Sequence, residues 1–399
     1  MHTDSKTIAY ATYVSPFPTN SGERLRAVNL ISALRHLGYS VHAFVGNYND
    51  IDLPSFNEDG LVFHRIPFGW PRLRQELGLY FRPHTEFINE LTKLNRQTEI
   101  HAVILDYGFL GAQIARLQRN GMPVLLGTHN VESVLTGQAP AGSPVSALAI
   151  QLRQAIEQTH ERWFFPKANA VLCVSDPDCR EYARYISARR LHVVPNFVDV
   201  PDRFSGISRF DRIIMAGSFD NFQNREGLRW FLEQVWDAEL ASKVELCIAG
   251  KGSNEVAGAF FDVPRLVSLG PCEDLLTEIA RSRCAIVPLW QGGGTRFKCL
   301  EAMAVRTPIV TTSKGCEGIE HEGTCVVADT PEAFKAAIFS VLNDREDAHN
   351  RAARGRQVFD RQYSLQANAA RLEYAIASAV GEAGTRSGVP DARRAMAAE

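Results

Sequence analysis

The sequence has no apolar run approaching the ~20 residues that span a bilayer, no Cys-x-x-Cys pair and no excess of charge of either sign. Each absence removes a class of protein. Without such a run there is no expected transmembrane helix, and the polar opening Met1–Lys6 leads into an apolar stretch, Ile8–Val14, of only strand length. The eight cysteines are scattered, and Cys173, Cys247 and Cys284 fall in apolar runs that read as buried strands. A chain of this size with such cysteines reads as reduced and cytoplasmic rather than stapled by disulfides. The 43 basic side chains nearly balance the 45 acidic ones, for a net charge of −2, so no nucleic-acid partner is expected.

What is present is alternation. At 399 residues the chain suits two domains, and 45% apolar residues can fill two cores. Strands are expected at Thr7–Val14, Val41–Val45, Leu61–Ile66, Ala102–Leu105, Val124–Leu126, Val171–Val174 and His192–Val194. Helical segments lie between most of them. One is Gly22–Leu37, with Ala27, Leu30, Ile31, Leu34 and Leu37 on a single face and Gly38 as its stop. The stretch Pro195–Arg209 has no period and reads as a linker. Alternation then restarts, with strands at Arg212–Met215, Val244–Ala249, Leu266–Leu269, Ala285–Pro288, Ile309–Thr312 and Cys325–Val327. Strands separated by helices imply a parallel sheet covered on both faces, so the fold class is α/β with two doubly wound Rossmann-like domains facing a cleft. From Gly381 to Glu399 the residues are small, polar and charged, and read as a disordered tail.

Four segments can carry chemistry. After the strand Ala285–Pro288 comes Gly292-Gly293-Gly294-Thr295-Arg296-Phe297-Lys298, running into a helix read as Thr295–Val305. Consecutive glycines let backbone N–H groups approach an anion, and a helix N-terminus adds its dipole. Arg296 and Lys298 in the first turn are unfavourable for the helix itself but suit a bound diphosphate. Glu301 can face the same cleft and accept hydrogen bonds from two ribose hydroxyls. Solvated charge at a loop–helix junction is the plain alternative. The turn Gly250-Lys-Gly252 after the second strand of this half either contacts a sugar nucleotide or is simply tight.

The other two segments lie in the first half. Pro16–Arg26 ends its loop at Ser21 and Gly22, with Glu23, Arg24 and Arg26 expected to face outward near the cleft, or else is a capped helix start with Ser21 as N-cap. His129, beside Asn130 at a strand's carboxyl end, can hydrogen-bond at neutral pH, although a lone histidine also serves structure alone.

The block Gly292–Ala304, with Thr307–Thr312 and Gly315-Cys-Glu-Gly318, resembles the donor segment of glycosyltransferase family 4 and the broader glycosyl transferases group 1. Pro16–Arg26, His129–Ser133, Ser175–Asp178, Val194–Asp199 and Gly217–Asn224 fit the same resemblance in order. It implies a GT-B fold and retention of anomeric configuration, with no obligatory cofactor or metal. It also implies an N-terminal acceptor-binding domain over 1–200 and a C-terminal domain over 201–362 that holds a nucleoside-diphosphate sugar. A last helix, within 363–380, would cross back to the first domain. The acceptor would be a glycan, a lipid-linked sugar or a small molecule, in surface polysaccharide or glycoconjugate synthesis. Closure of the domains would expel water from the site.

Two positions depart from the family pattern. Gly293 stands where the first of two spaced glutamates is common, the second being Glu301. Ser218 and Asn224 stand where an Arg and a Lys commonly bind the diphosphate, so that charge would have to come from Arg296 and Lys298. The expected site is therefore His129, Arg296 and Lys298 for catalysis. Gly217, Ser218, Gly250, Gly292–Gly294, Thr295 and Glu301 would serve the donor, and Ser21, Gly22, Arg24 and Asn130 the acceptor. The missing carboxylate leaves two rivals, a nucleotide-sugar epimerase of the same fold and a sugar-nucleotide-binding protein without activity. The stretch Phe68–Arg82 mixes aromatics with arginines and reads either as a peripheral membrane contact or as a surface loop.

Overall fold

The computed structural model describes residues 6–17, 22–46, 60–66, 80–138, 144–200, 202–291 and 296–387. Seven parallel strands form a first sheet: β1 Thr7–Thr12, β2 Ser40–Val45, β3 Leu61–Arg65, β4 Ile100–Asp106, β5 Val124–Gly127, β6 Ala170–Cys173 and β7 Leu191–Val193, in the order β3-β2-β1-β4-β5-β6-β7. Six more form a second: β8 Phe210–Ala216, β9 Glu245–Ala249, β10 Leu266–Gly270, β11 Ser282–Val287, β12 Ile309–Thr311 and β13 Cys325–Val327, in the order β10-β9-β8-β11-β12-β13. Every pairing within the two sheets is parallel. In both, the order reverses beside the first strand, at β1/β4 and at β8/β11. Those two points open crevices at the carboxyl ends of the strands, where ligands of such sheets bind.

Strands buried on both faces need continuous apolar runs, and β1, Thr-Ile-Ala-Tyr-Ala-Thr, is buried at all six positions. Helix Thr85–Thr98 covers the first sheet with Phe87, Ile88, Leu91 and Leu94, and its N-cap His84 accepts a hydrogen bond from the Phe87 amide. Helices Phe222–Gln234 and Pro331–Asn343 cover the second through Leu228, Phe231, Phe334 and Ile338. Among the described residues no helix is long and apolar enough to cross a membrane.

The chain divides into two compact units, one of Met1–Thr19, Glu23–Pro195 and Asn368–Glu399, the other of Asn20–Gly22 and Asn196–Ala367. Residues 195–200 and 202–209 are irregular, as the composition predicts, yet Phe197, Val198 and Phe204 are buried.

One expectation needs correction. The last helix, Leu365–Ser387, runs past Gly381, where a disordered tail was expected to begin. Glu382 explains the extension, because its carboxylate pairs with Arg189 at 2.9 Å and Arg190 at 3.2 Å within the first unit. Residues 388–399 lie outside the described residues. Of the aromatic–arginine stretch, residues 68–79 also lie outside them, while Tyr80 packs on Phe109 and Phe81 on His160 and Phe164. Those two rings pack, partly buried, against the core of the first unit.

Candidate functional site

In the second unit the site residues gather at the carboxyl ends of β8 and β9. Gly217 follows β8 with φ of +143°, and Gly250 follows β9 with φ of +123°. A Cβ on Gly250 would stand 2.2 Å from the Gly217 carbonyl oxygen, so only glycine lets these two strand ends close on each other. A Cβ on Gly217 would stand 2.8 Å from Cε and 2.9 Å from Nζ of Lys298. The space that a side chain would fill is thus taken by an ammonium arriving from another element. Lys298 Nζ donates to Asn224 Oδ1, and Asn224 Nδ2 donates to the Ser218 carbonyl at 2.5 Å. A cation therefore stands at the Asn224 position, where the resemblance leads one to expect lysine, although it is borne on residue 298.

Burial, with Arg296 nearby, pushes the Lys298 ammonium down to about 8. The half-buried Glu301, one turn on, is pushed up by burial to about 7, which Lys298 partly opposes. No described residue donates a hydrogen bond to its carboxylate. Lys251, the other lysine at these turns, is committed to Asp220 at 2.6 Å. The Gly250–Gly252 turn leads directly into the short helix Ser253–Ala259.

The helix carrying Lys298 is Phe297–Ala304, two residues shorter at its start than the sequence predicts. Arg296 is its N-cap, in extended conformation, and so stands outside the turn where a cation opposes the helix dipole. Its guanidinium reaches the Lys314 carbonyl at 3.5 Å and Glu317 at 3.8 Å. Arg296 and Lys298 thus have different partners, where the sequence reading gave them a single role. Gly292, Gly293, Gly294 and Thr295 lie outside the described residues.

In the first unit the site grows around a carboxylate that the sequence reading passed over. Asp106 ends β4, fully buried, beside the β1/β4 reversal. Tyr10 of β1 donates to its Oδ2 at 2.5 Å, Arg26 Nε lies 3.7 Å from Oδ1, and His129 Nε2 lies 3.5 Å from Oδ2. Burial works against ionisation, but His129, Arg26 and Tyr10 outweigh it and hold Asp106 below the usual carboxylate range.

The His129 ring stacks on Tyr107 at 4.2 Å between centroids, and the Tyr107 hydroxyl donates to Glu23 at 2.9 Å. His129 is therefore a clamped imidazole with its Nε2 side turned to Asp106. The sequence signal for this arrangement was available: a charged residue closing an apolar parallel strand sits where such sheets bind ligands.

The acceptor-side residues fare unevenly. Arg26, expected to face outward, is 1% exposed and donates to the Val194 carbonyl at 3.2 Å. It lies on the inner face of helix Gly22–His36, where the Asp106 carboxylate helps to make a buried guanidinium tolerable. Arg24 donates to the Phe17 carbonyl at 2.8 Å, shaping the loop that enters this helix. Gly22 opens the helix, and Ser21 lies outside the described residues. The Asn130 carbonyl accepts from Tyr182 at 3.0 Å. Beside it, burial and the Glu157 charge push Glu132 up to about 7.

Residues 22–201 match the model of Glycosyltransferase Family 4, and residues 211–344 match that of Glycosyl transferases group 1. No curated protein matches by sequence. Among solved structures, sucrose-phosphate synthase from Thermosynechococcus elongatus is similar at a TM-score of 0.69 and 17% identity, over 92% of this chain and 98% of that one. A glycosyltransferase from Rickettsia africae reaches 0.68 at 12% identity, over 94% and 98%. HepE of Anabaena, solved in complex with UDP, reaches 0.65 at 12% identity, over 94% and 100%. Likeness at such identities speaks for the fold alone, which is GT-B with two Rossmann-like domains.

Proposed function

Because the chain belongs to the glycosyltransferases, its first part matching family 4 and its second part group 1, we propose that it moves a sugar from a nucleoside-diphosphate sugar to an acceptor hydroxyl with retention of configuration. The observation that carries this reading is Lys298, whose ammonium lies against Gly217 and on Asn224 at the carboxyl end of β8. Front-face substitution at the anomeric carbon builds negative charge on the departing diphosphate. A cation already fixed there stabilises the transition state more than the ground state. Arg296 adds charge from the side of Lys314, and Glu301 takes the ribose hydroxyls. Complexes of HepE with UDP and with UDP-glucose favour a uridine nucleotide as donor here. The acceptor class stays as wide as the resemblance makes it.

A thermal-shift series with UDP-, GDP-, ADP- and TDP-sugars tests the reading. A matched donor raises Tm by mass action, by the equivalent of about 2.7 kcal/mol at a hundredfold excess over Kd. A panel that leaves Tm unmoved would overturn the donor assignment. Sugar epimerisation in place of transfer would assign the chain to the rival activity.

Donor affinity carries a pH signature. Burial lowers the Lys298 ammonium to about 8, so the cation that meets the diphosphate is lost as pH rises through that value. Kd for UDP is expected to rise by up to about tenfold per pH unit above it, with proton uptake on binding. Calorimetry in buffers of different ionisation heat reads both. A flat affinity with no linked proton contradicts the role of Lys298.

Glu301→Gln keeps the size of the side chain while removing its charge and one acceptor. Nucleotide binding should weaken by about 1–2 kcal/mol, and the anomer formed should stay the same. Normal binding with abolished turnover would make Glu301 a group of the reaction itself.

A further inference from the structure

The other end of the strands of the second sheet holds a feature that sugar transfer does not use. A cavity of about 350 Å³ lies at the amino-terminal ends of its strands. Asp211 stands there at the start of β8, Arg283 at the start of β11 and Pro308 just before β12. Helix Arg345–Gln362 closes the cavity with Arg345, Ala348, His349 and Ala352, which fall at i, i+3, i+4 and i+7 and so share one face.

The charge in this cavity is one-sided. Three guanidiniums, those of Arg209, Arg283 and Arg345, meet a single carboxylate, Asp211, and His349 adds to them when protonated. Two of the three are held from behind, mostly by neutral groups. Arg209 donates to the Ser282 carbonyl at 3.1 Å and the Arg306 carbonyl at 2.6 Å. Arg283 donates to the Leu342 carbonyl at 2.5 Å and to Asp211 at 3.0 Å. Backbone carbonyls fix the direction of a guanidinium without cancelling its charge. Arg345 and His349 are exposed and have no partner among the described residues. Between these cations Pro308, Val341, Ala348 and Ala352 supply an apolar wall.

We propose that this cavity is a second ligand site, taking a small phosphorylated organic molecule of about the size of a phosphosugar. Preoriented guanidiniums match phosphate oxygens in geometry as well as charge. The volume exceeds that of one anion, since a water molecule takes only ~30 Å³, and the apolar wall gives the organic part a surface to cover. Asp211 and Gly217 mark the two ends of β8, so this site and the Lys298 site lie roughly 20 Å apart along the strand. At that distance their charges are screened from each other, and the two ligands bind without competing.

The test is calorimetry on the full chain with glucose 6-phosphate and inorganic phosphate as probes, with and without saturating UDP. Glucose 6-phosphate is expected to bind at millimolar concentration or below, more tightly than inorganic phosphate, and equally well with UDP present. Arg345→Glu, at an exposed helix start where folding is not at stake, should weaken it at least about tenfold. Lys298→Met should leave it unchanged. The proposal is overturned if glucose 6-phosphate fails to bind, binds no better than phosphate, is displaced by UDP, or responds to Lys298→Met and not to Arg345→Glu.

Discussion

His129→Ala is expected to lower turnover about 100-fold, roughly 2.7 kcal/mol of transition-state stabilisation, while nucleotide affinity stays within about twofold of the parent. The asymmetry follows from where the groups sit. The proposed nucleotide ligands are all in the second unit, whereas His129 follows β5 in the first. Its ring is held on both sides, by Tyr107 through stacking and by Asp106 at 3.5 Å. A fixed imidazole hydrogen-bonds a sugar or acceptor hydroxyl without paying to order itself as charge shifts.

The structural alternative separates cleanly from this. Without the imidazole, Asp106 still has the Tyr10 hydroxyl at 2.5 Å and Arg26 at 3.7 Å, so its carboxylate is not left alone. Stability should therefore fall by only about 1–2 kcal/mol, read from Tm and circular dichroism. A folded variant that transfers sugar at the parental rate removes His129 from the reaction. Asp106 itself is a poor target, since removing one member of a buried charged set costs about 3–5 kcal/mol and confounds activity with folding.

Much of this architecture is legible in the sequence because parallel strands buried on both faces have to be runs of apolar residues. The central strands β1, β4, β5 and β6 of the first sheet and β9 and β11 of the second fall on runs of that kind, whereas β3, β7 and β10 are less buried. The less legible features are those in which one residue's fate depends on a partner far along the chain. Arg26 reads as a surface charge because its partner, Asp106, is 80 positions away (106 − 26). Glu382 reads as part of a polar tail because Arg189 and Arg190, which order it, lie in the other half of the sequence. The substitution at Asn224 reads as a lost cation, yet Lys298, 74 positions on, delivers one to the same place. Local rules give each residue its propensity, and topology decides which charges meet.

The same delivery makes Lys298 the residue whose loss should separate binding from stability most sharply. Lys298→Met keeps the length and apolar stem of the side chain and removes only the ammonium. Donor affinity is expected to fall about 100-fold, some 2.7 kcal/mol, near the upper end for a charge-assisted contact to a diphosphate. Arg296→Ala should cost less, because that guanidinium is shared with the Lys314 carbonyl and Glu317.

Stability should move the other way. Folding lowers the Lys298 ammonium from its ordinary value to about 8, so the charged form is disfavoured in the native state. At neutral pH this costs stability, and the cost fades as pH rises through that value toward the ordinary lysine range. Methionine removes it, and Asn224 keeps its bond to the Ser218 carbonyl. Tm at pH 7 should therefore hold or rise, and the difference between parent and variant should shrink as pH is raised. A ligand group retained at the expense of the fold is what a binding site produces. If Lys298→Met instead binds UDP as before and melts earlier, the ammonium is a tether for the Gly217 turn, and the diphosphate must be held by other groups.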